Sequence, residues 1–251
     1  MKISAVSYIN TLPFIYGLQH SPIINKIDLS IDYPAQCASK LINNQVDIGL
    51  IPVAVLPQIP NSRIISDYCI GADGKVNSVF LFSNVPINEI EKTYLDYQSR
   101  TSISLMQILA EKHWKIKVEW LKAEIGYESK ISEKTAGVVI GDRTFAIKQN
   151  FQYAYDLAEE WKQMTNLPFV FATWTANKNI SQTFVNQFNT ALKIGVKNID
   201  DVLNFYKKRI TEKNNFEEIK KYLTEDISYN FTKNKQKALK SFLLYKKEQL
   251  L

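Results

Sequence analysis

Thr93-Tyr94-Leu95-Asp96-Tyr97-Gln98-Ser99-Arg100-Thr101-Ser102 is the stretch in which a short strand turns into a helix. Thr93 to Leu95 are strand-like, and Leu105, Ile108, Leu109 and Lys112 then recur at helical spacing. Three hydroxyl side chains, Ser99, Thr101 and Ser102, therefore gather at a helix N-terminus, where backbone N–H groups lack partners and the helix dipole is positive. Such an end suits a carboxylate or phosphate; a Ser or Thr there is also an ordinary helix cap.

Outward from this turn, strand-like and helix-like segments alternate up to about residue 175. Residues 3–6, 29–33, 48–51, 64–66, 76–83, 93–95, 118–121, 137–140 and 168–174 read as strands. Helices are expected over 12–18, with Pro13 in the first turn, over 34–42, from the quoted turn to His113, and over 157–164. This alternation predicts an α/β fold with largely parallel sheets. After Trp174 the pattern becomes helical, through Phe184, Phe188, Leu192 and Val196, then Val202, Phe205, Tyr206, Ile219 and Tyr222, to a last helix over 235–249. A helical tail of that length packs back onto the first sheet. The expected organisation is therefore two lobes, 1–84 plus 175–251 and 85–174. Two crossover strands end near Ser83 and Trp174, and a ligand lies in the cleft between the lobes.

With 251 residues, 45% hydrophobic content and 8 glycines, the chain has the makings of a packed globular protein. No secretory signal pattern and no apolar run near the length of a bilayer crossing is visible, so a cytoplasmic location and no membrane partner are expected. Cys37 and Cys69 fall in no metal or disulfide pattern and read as core residues. The formal charge of +6 comes largely from lysines in the C-terminal quarter, interleaved with acidic and apolar positions as on solvated helix faces. No basic stripe with stacking aromatics points to nucleic acid, although a mild positive field favours a small anion.

Four further strand ends are rich in polar groups. Asn10, in Ser7-Tyr8-Ile9-Asn10-Thr11, is either a helix cap or an amide that orients a ligand. Pro52 and Val53 offer apolar walls and backbone hydrogen-bonding groups, or simply core. In Gly74-Lys75-Val76-Asn77-Ser78-Val79, Asp73-Gly74 signals a hairpin or bulge, and Ser78 matters if it faces the cleft. Gly141-Asp142 closes a strand, with Asp142 a helix cap or a ligand contact. Dinucleotide and P-loop glycine motifs are absent, and neither His20 nor His113 lies in a metal or triad pattern, so no metal or cofactor is expected.

The strings Ser7-Tyr8-Ile9-Asn10-Thr11-Leu12-Pro13-Phe14, Asp47-Ile48-Gly49-Leu50-Ile51-Pro52-Val53-Ala54, Val76-Asn77-Ser78-Val79-Phe80-Leu81-Phe82-Ser83, Ser99-Arg100-Thr101-Ser102, Ile140-Gly141-Asp142 and Leu167-Pro168-Phe169-Val170-Phe171-Ala172 occur in this order. Together they resemble the chorismate dehydratase family of the futalosine route to menaquinone, over nearly the whole chain. The resemblance implies a two-lobed, periplasmic-binding-protein-like (type II) fold used in the cytosol. It also implies loss of water from chorismate to give 3-[(1-carboxyvinyl)oxy]benzoate. Where the family usually has Gly, this chain has Asn166, the next-best residue for a left-handed helix end. The related cyclase and lyase families carry a histidine near Gly141-Asp142, which this chain lacks.

On that resemblance Thr101 and Ser102, supported by Ser99, are expected to hold a substrate carboxylate, and Ser78 and Asn10 the far side of the ring or its 4-hydroxyl. Arg100 pairs either with the ligand or with Asp96. Two bases are open for the ring proton: the enolpyruvyl carboxylate of the substrate, with Asn10 positioning it or the departing hydroxyl, and Asp142.

Overall fold

The computed structural model describes residues 1–212 and 215–249. The first half of the chain runs β1 (Lys2–Val6), α1 (Leu12–Gln19), β2 (Asp28–Asp32), α2 (Pro34–Ile42), β3 (Ile48–Pro52), β4 (Arg63–Ala72), β5 (Val79–Ser83), β6 (Lys92–Leu95) and α3 (Arg100–Ile108). It continues through β7 (Glu119–Lys122), β8 (Thr135–Ile140), α4 (Arg143–Ile147), β9 (Tyr153–Asp156), α5 (Leu157–Thr165) and β10 (Phe169–Ala176). Helices α6 (Gln182–Lys197), α7 (Ile199–Phe205), α8 (Lys207–Thr211), α9 (Phe216–Lys221) and α10 (Lys233–Glu248) complete it. Among the described residues, no helix is long and apolar enough to cross a membrane.

The residues group into two compact units, Met1–Gly71 with Val170–Lys233 and Ala72–Phe169 with Asn234–Leu251. The first boundary falls at the end of β4 and not near Ser83, because β5 is a central strand of the second unit. The tail also divides. Phe242 and Tyr245 of α10 pack edge-on against Trp161, and Phe242 also against Phe169, so the last helix belongs with the second unit and not the first. No periodicity within α10 distinguishes one apolar partner from another.

Each unit is built on a five-stranded sheet, in the orders β2-β1-β3-β10-β4 and β7-β6-β8-β5-β9. The sheets are mixed and not largely parallel: β10 runs antiparallel to β3, and β5 antiparallel to both β8 and β9. The parallel pairs nonetheless decide the site, since β1 lies parallel to β3 and β6 to β8. Strand β5 begins only at Val79, because Asn77 adopts a left-handed backbone (φ 53°) that no strand continues through. Asp73-Gly74 makes no hairpin either, for it joins strands of different sheets.

The first unit is held by helix–helix contact as well as by its sheet. Gly17 of α1 and Gly195 of α6 let the two backbones meet, and a Cβ at Gly195 would overlap the carbonyl oxygen of Pro13. Trp174 and Phe14 fill the space beside them, with Phe188 and Tyr229 set edge-on. In the second unit Phe80, Phe82, Tyr127, Ile131 and Val139 form one core cluster. Cys37 and Cys69 are buried free thiols, and burial pushes the Cys37 thiol up to about 12, so it stays protonated.

Gly195→Ala forces backbone against backbone and is expected to cost about 3 kcal/mol, or roughly 10 °C of melting temperature. Lys193→Ala, on the exposed face of the same helix, should stay within about 0.5 kcal/mol. Equal melting temperatures for the two variants in a thermal scan would contradict the close crossing.

Candidate functional site

In the second unit the edge formed by the C-terminal ends of β6 and β8 carries most of the residues singled out in the sequence. Strand β6 leads into Asp96 to Ser99 and the start of α3, and β8 leads into Gly141-Asp142 and α4. Because β5 is antiparallel to β8, with Val79 opposite Ile140, its first residues lie at the same edge. The Gly141 N–H donates to the Ser78 carbonyl at 2.8 Å, which fixes the two turns side by side. Ser78, Ser99, Arg100, Thr101, Ser102, Gly141 and Asp142 thus share one rim.

The hydroxyl cluster has a definite local order. Ser99 caps α3: its Oγ accepts the Ser102 N–H at 3.0 Å and donates to Ser102 Oγ at 2.9 Å. The capping role is therefore realised in one residue of the three. Thr101 and Ser102 are 2% and 1% exposed, so both side chains are packed against other protein atoms and neither hydroxyl meets bulk solvent. Arg100 is exposed.

Below the rim lies a buried carboxylate. Asp96, fully buried, accepts from the Gln98 N–H at 2.7 Å, the Tyr127 hydroxyl at 2.9 Å and the Arg143 guanidinium, so its ion pair is made by Arg143. Burial pushes its carboxyl above the usual range, while Arg143, Gln98 and Tyr127 pull it back. Arg143 also pairs with Glu128 and lies over the Tyr97 ring, 5.4 Å from its centre. Arg143 begins α4, so its bond to Asp96 ties the turn before α3 to the turn before α4. The sequence offered no spacing cue for this partner, 47 residues away.

Asp142 occupies the residue before α4 but makes no capping bond from its side chain. Its backbone is helical (φ −60°, ψ −20°), whereas a capping side chain reaches back from an extended backbone. The turn is closed instead by Thr144, whose N–H and hydroxyl both donate to the Gly141 carbonyl, at 3.0 and 2.8 Å. Gly141 itself has φ +68°, which suits glycine.

A second buried carboxylate positions Ser78. Asp156 accepts four backbone N–H groups, from Val76, Asn77, Ala158 and Glu159, at 2.7–3.2 Å, and so caps α5 while pinning the turn before Ser78. Burial pushes its carboxyl up to about 6.

In the first unit the C-terminal ends of the parallel strands β1 and β3 present Asn10, Pro52 and Val53. Pro52 and Val53 are buried. Asn10 does not cap α1, whose capping position is Thr11, which makes no capping bond from its side chain. Its amide is held by two hydroxyls, with Nδ2 donating to Tyr222 Oη at 3.1 Å and Oδ1 accepting from Thr11 Oγ1 at 3.2 Å. Tyr222 and Tyr229, missed in the sequence, come from more than 200 residues away, and nothing in the local pattern of either points to Asn10. Among the described residues, no group of three His, Cys, Asp or Glu is placed to hold a metal ion.

The model of the menaquinone biosynthesis family matches residues 1–248. The chain belongs to the menaquinone biosynthesis family. A Campylobacter jejuni protein named chorismate dehydratase is 24% identical over 249 residues, covering 97% of this chain and 96% of its own. A Thermus thermophilus protein of the same name is 26% identical over 159 residues, 56% of this chain and 58% of its own. Among solved structures, a protein from Archaeoglobus fulgidus superposes with a TM-score of 0.79 at 14% identity, covering 100% of this chain and 98% of that one. The periplasmic aliphatic sulphonate binding protein from Escherichia coli gives 0.65 at 11% identity, over 100% and 92%. The fold is thus that of periplasmic binding proteins, and the family is one of biosynthesis.

The Asp156 carboxyl gives a pH signature for the turn before Ser78. Its value of about 6 in the native protein lies above the ordinary 3.8, so the native state holds the extra proton across that window. Stability from this group is therefore greatest below pH about 4 and falls by about 3 kcal/mol as pH rises to about 6. Urea unfolding of wild type and Asp156→Asn from pH 4 to 7 should show the wild-type advantage shrinking with pH. An advantage that grows with pH would place the carboxyl below its ordinary value.

Proposed function

We propose that this chain is a chorismate dehydratase, a hydro-lyase that removes water from chorismate to give 3-[(1-carboxyvinyl)oxy]benzoate without a cofactor. Membership of the menaquinone biosynthesis family over residues 1–248 carries the reading, and two relatives named chorismate dehydratase support it. A cytoplasmic location is part of the proposal.

Chorismate carries two carboxylates. Thr101 and Ser102, at the positive end of α3, are assigned to one of them, with Ser99 holding the turn in place. Ser78, Gly141 and Asp142 on the same rim, and Arg100 beside it, complete the contacts of the second unit. Asn10 is assigned to the departing 4-hydroxyl or the enolpyruvyl carboxylate, with Pro52 and Val53 as apolar wall.

The reaction removes a ring proton and the 4-hydroxyl, which leave together as water while the ring becomes aromatic. We assign the base to the enolpyruvyl carboxylate of the substrate, held against the ring proton that it takes; the proton then departs with the hydroxyl. The protein's work is then to fix the conformer and exclude water.

Incubation of pure protein with chorismate should give an aromatic ultraviolet spectrum and a product lighter by one water; chorismate bound but unchanged would identify a receptor on the same fold. Asn10→Ala should lower kcat by about a hundredfold or more. Asp142→Asn should leave kcat within about threefold, and a loss of several orders of magnitude would make Asp142 the base. Thr101→Val should raise KM by about tenfold, the worth of one charge-assisted hydrogen bond.

A further inference from the structure

Asn10 lies in the short helical turn Ile9–Thr11 that joins β1 to α1, and its position is set from the far end of the chain. An asparagine amide offers two N–H donors and two acceptor lone pairs. The bonds to Tyr222 Oη and from Thr11 Oγ1 use one of each and fix the plane of the amide. Beyond these described bonds, one N–H and one lone pair are left for a substrate. A second phenol, Tyr229, donates to the Asn10 backbone carbonyl at 3.2 Å and fixes the main chain beneath the side chain.

Both phenols are themselves anchored. Tyr222 and Tyr229 are 1% and 6% exposed. Tyr222 opens the π-helical turn Tyr222–Asp226, closed by the Ile227 N–H to the Tyr222 carbonyl at 3.0 Å. Such turns are rare and recur at functional sites. Residues 228–231 are then bridged to β4 by three backbone hydrogen bonds, Cys69 N–H to Tyr229, Ser228 N–H to Gly71 and Phe231 N–H to Asp67, at 2.7–2.8 Å. The Tyr229 ring also packs edge-on against Phe14, four residues after Asn10. Both phenols are thus buried on backbone held by hydrogen bonds, and turning the amide breaks its bond to Tyr222.

We infer that Tyr222 is a positioning residue for the dehydration: its buried hydroxyl holds the Asn10 amide so that the remaining N–H meets the substrate. This rests on the assignment of Asn10 in the proposed reaction.

The test is steady-state kinetics with chorismate on wild type, Tyr222→Phe, Asn10→Ala and the double variant. Tyr222→Phe keeps the ring and removes only the hydroxyl. Its kcat should fall about ten- to a hundredfold while KM stays within about threefold. Because Tyr222 acts through Asn10, the double variant should be no slower than Asn10→Ala alone. A wild-type kcat in Tyr222→Phe, or losses that multiply in the double variant, overturns the inference while leaving the dehydratase reading intact. Wild-type protein that does not turn over chorismate overturns both. Independently of any variant's folding, NMR of the wild-type Asn10 side-chain amide should show one proton protected from solvent exchange and the other exchanging freely. Equal, rapid exchange of both removes the hydrogen bond on which the inference stands.

Discussion

Parallel strands end on the same edge of a sheet, and that constraint decides where the turns after β1, β3, β6 and β8 go. β1 and β3 run together in one unit, and β6 and β8 in the other. Each pair brings two strand-to-helix turns side by side, although the turns are tens of residues apart in sequence. The antiparallel strand β5 adds the residue before its start to the second rim, which is how Ser78 comes to sit against Gly141. Turns placed this way present helix N-termini and open backbone groups together.

Placement by the sheet is coarse, to within a few ångströms, and the finer adjustment comes from buried polar groups that never leave the protein. Asp96 takes an arginine, a phenol and a backbone N–H, and the arginine belongs to the neighbouring turn. Asp156 takes four backbone N–H groups, two from its own helix and two from the turn before Ser78. Asn10 is held by two tyrosines and a threonine. A buried carboxylate left half-bonded is costly, so Asp96 and Asp156 make their turns hard to rearrange, while Asn10 is only partly buried.

What the sequence disclosed follows from which of these forces is local. The cap at Ser99 was legible because capping needs only a hydroxyl and the next turn of helix, and Asn166 was legible as a helix end because φ of 55° is what Asn tolerates. The strand from residue 76 was misread: apolar side chains say nothing of the left-handed Asn77 that delays the strand to Val79. Asp142 failed as a cap for a conformational reason, since its own backbone is already helical. The Asp96–Arg143 pair and the tyrosines under Asn10 join positions far apart in the chain, and no spacing rule reaches that far. Polar residues of the turns were therefore easier to find than the distant residues that hold those turns.

The same logic explains how a fold shared with binding proteins can serve a biosynthetic family. A binding protein for a small anion needs helix N-termini and hydroxyls on a rim, and a volume closed to water; none of that requires a catalytic acid, base or metal. The dehydration proposed for this chain asks for little more, because the ring gains aromaticity and the substrate carries its own carboxylate to take the proton. What separates binding from turnover is then the stiffness with which a few groups are held, since a ligand can be gripped in several poses but loses water from only one. In the proposed reaction that stiffness is supplied to Asn10 by two phenols of the C-terminal tail, whose helical pattern said only that the tail packs back onto the first sheet.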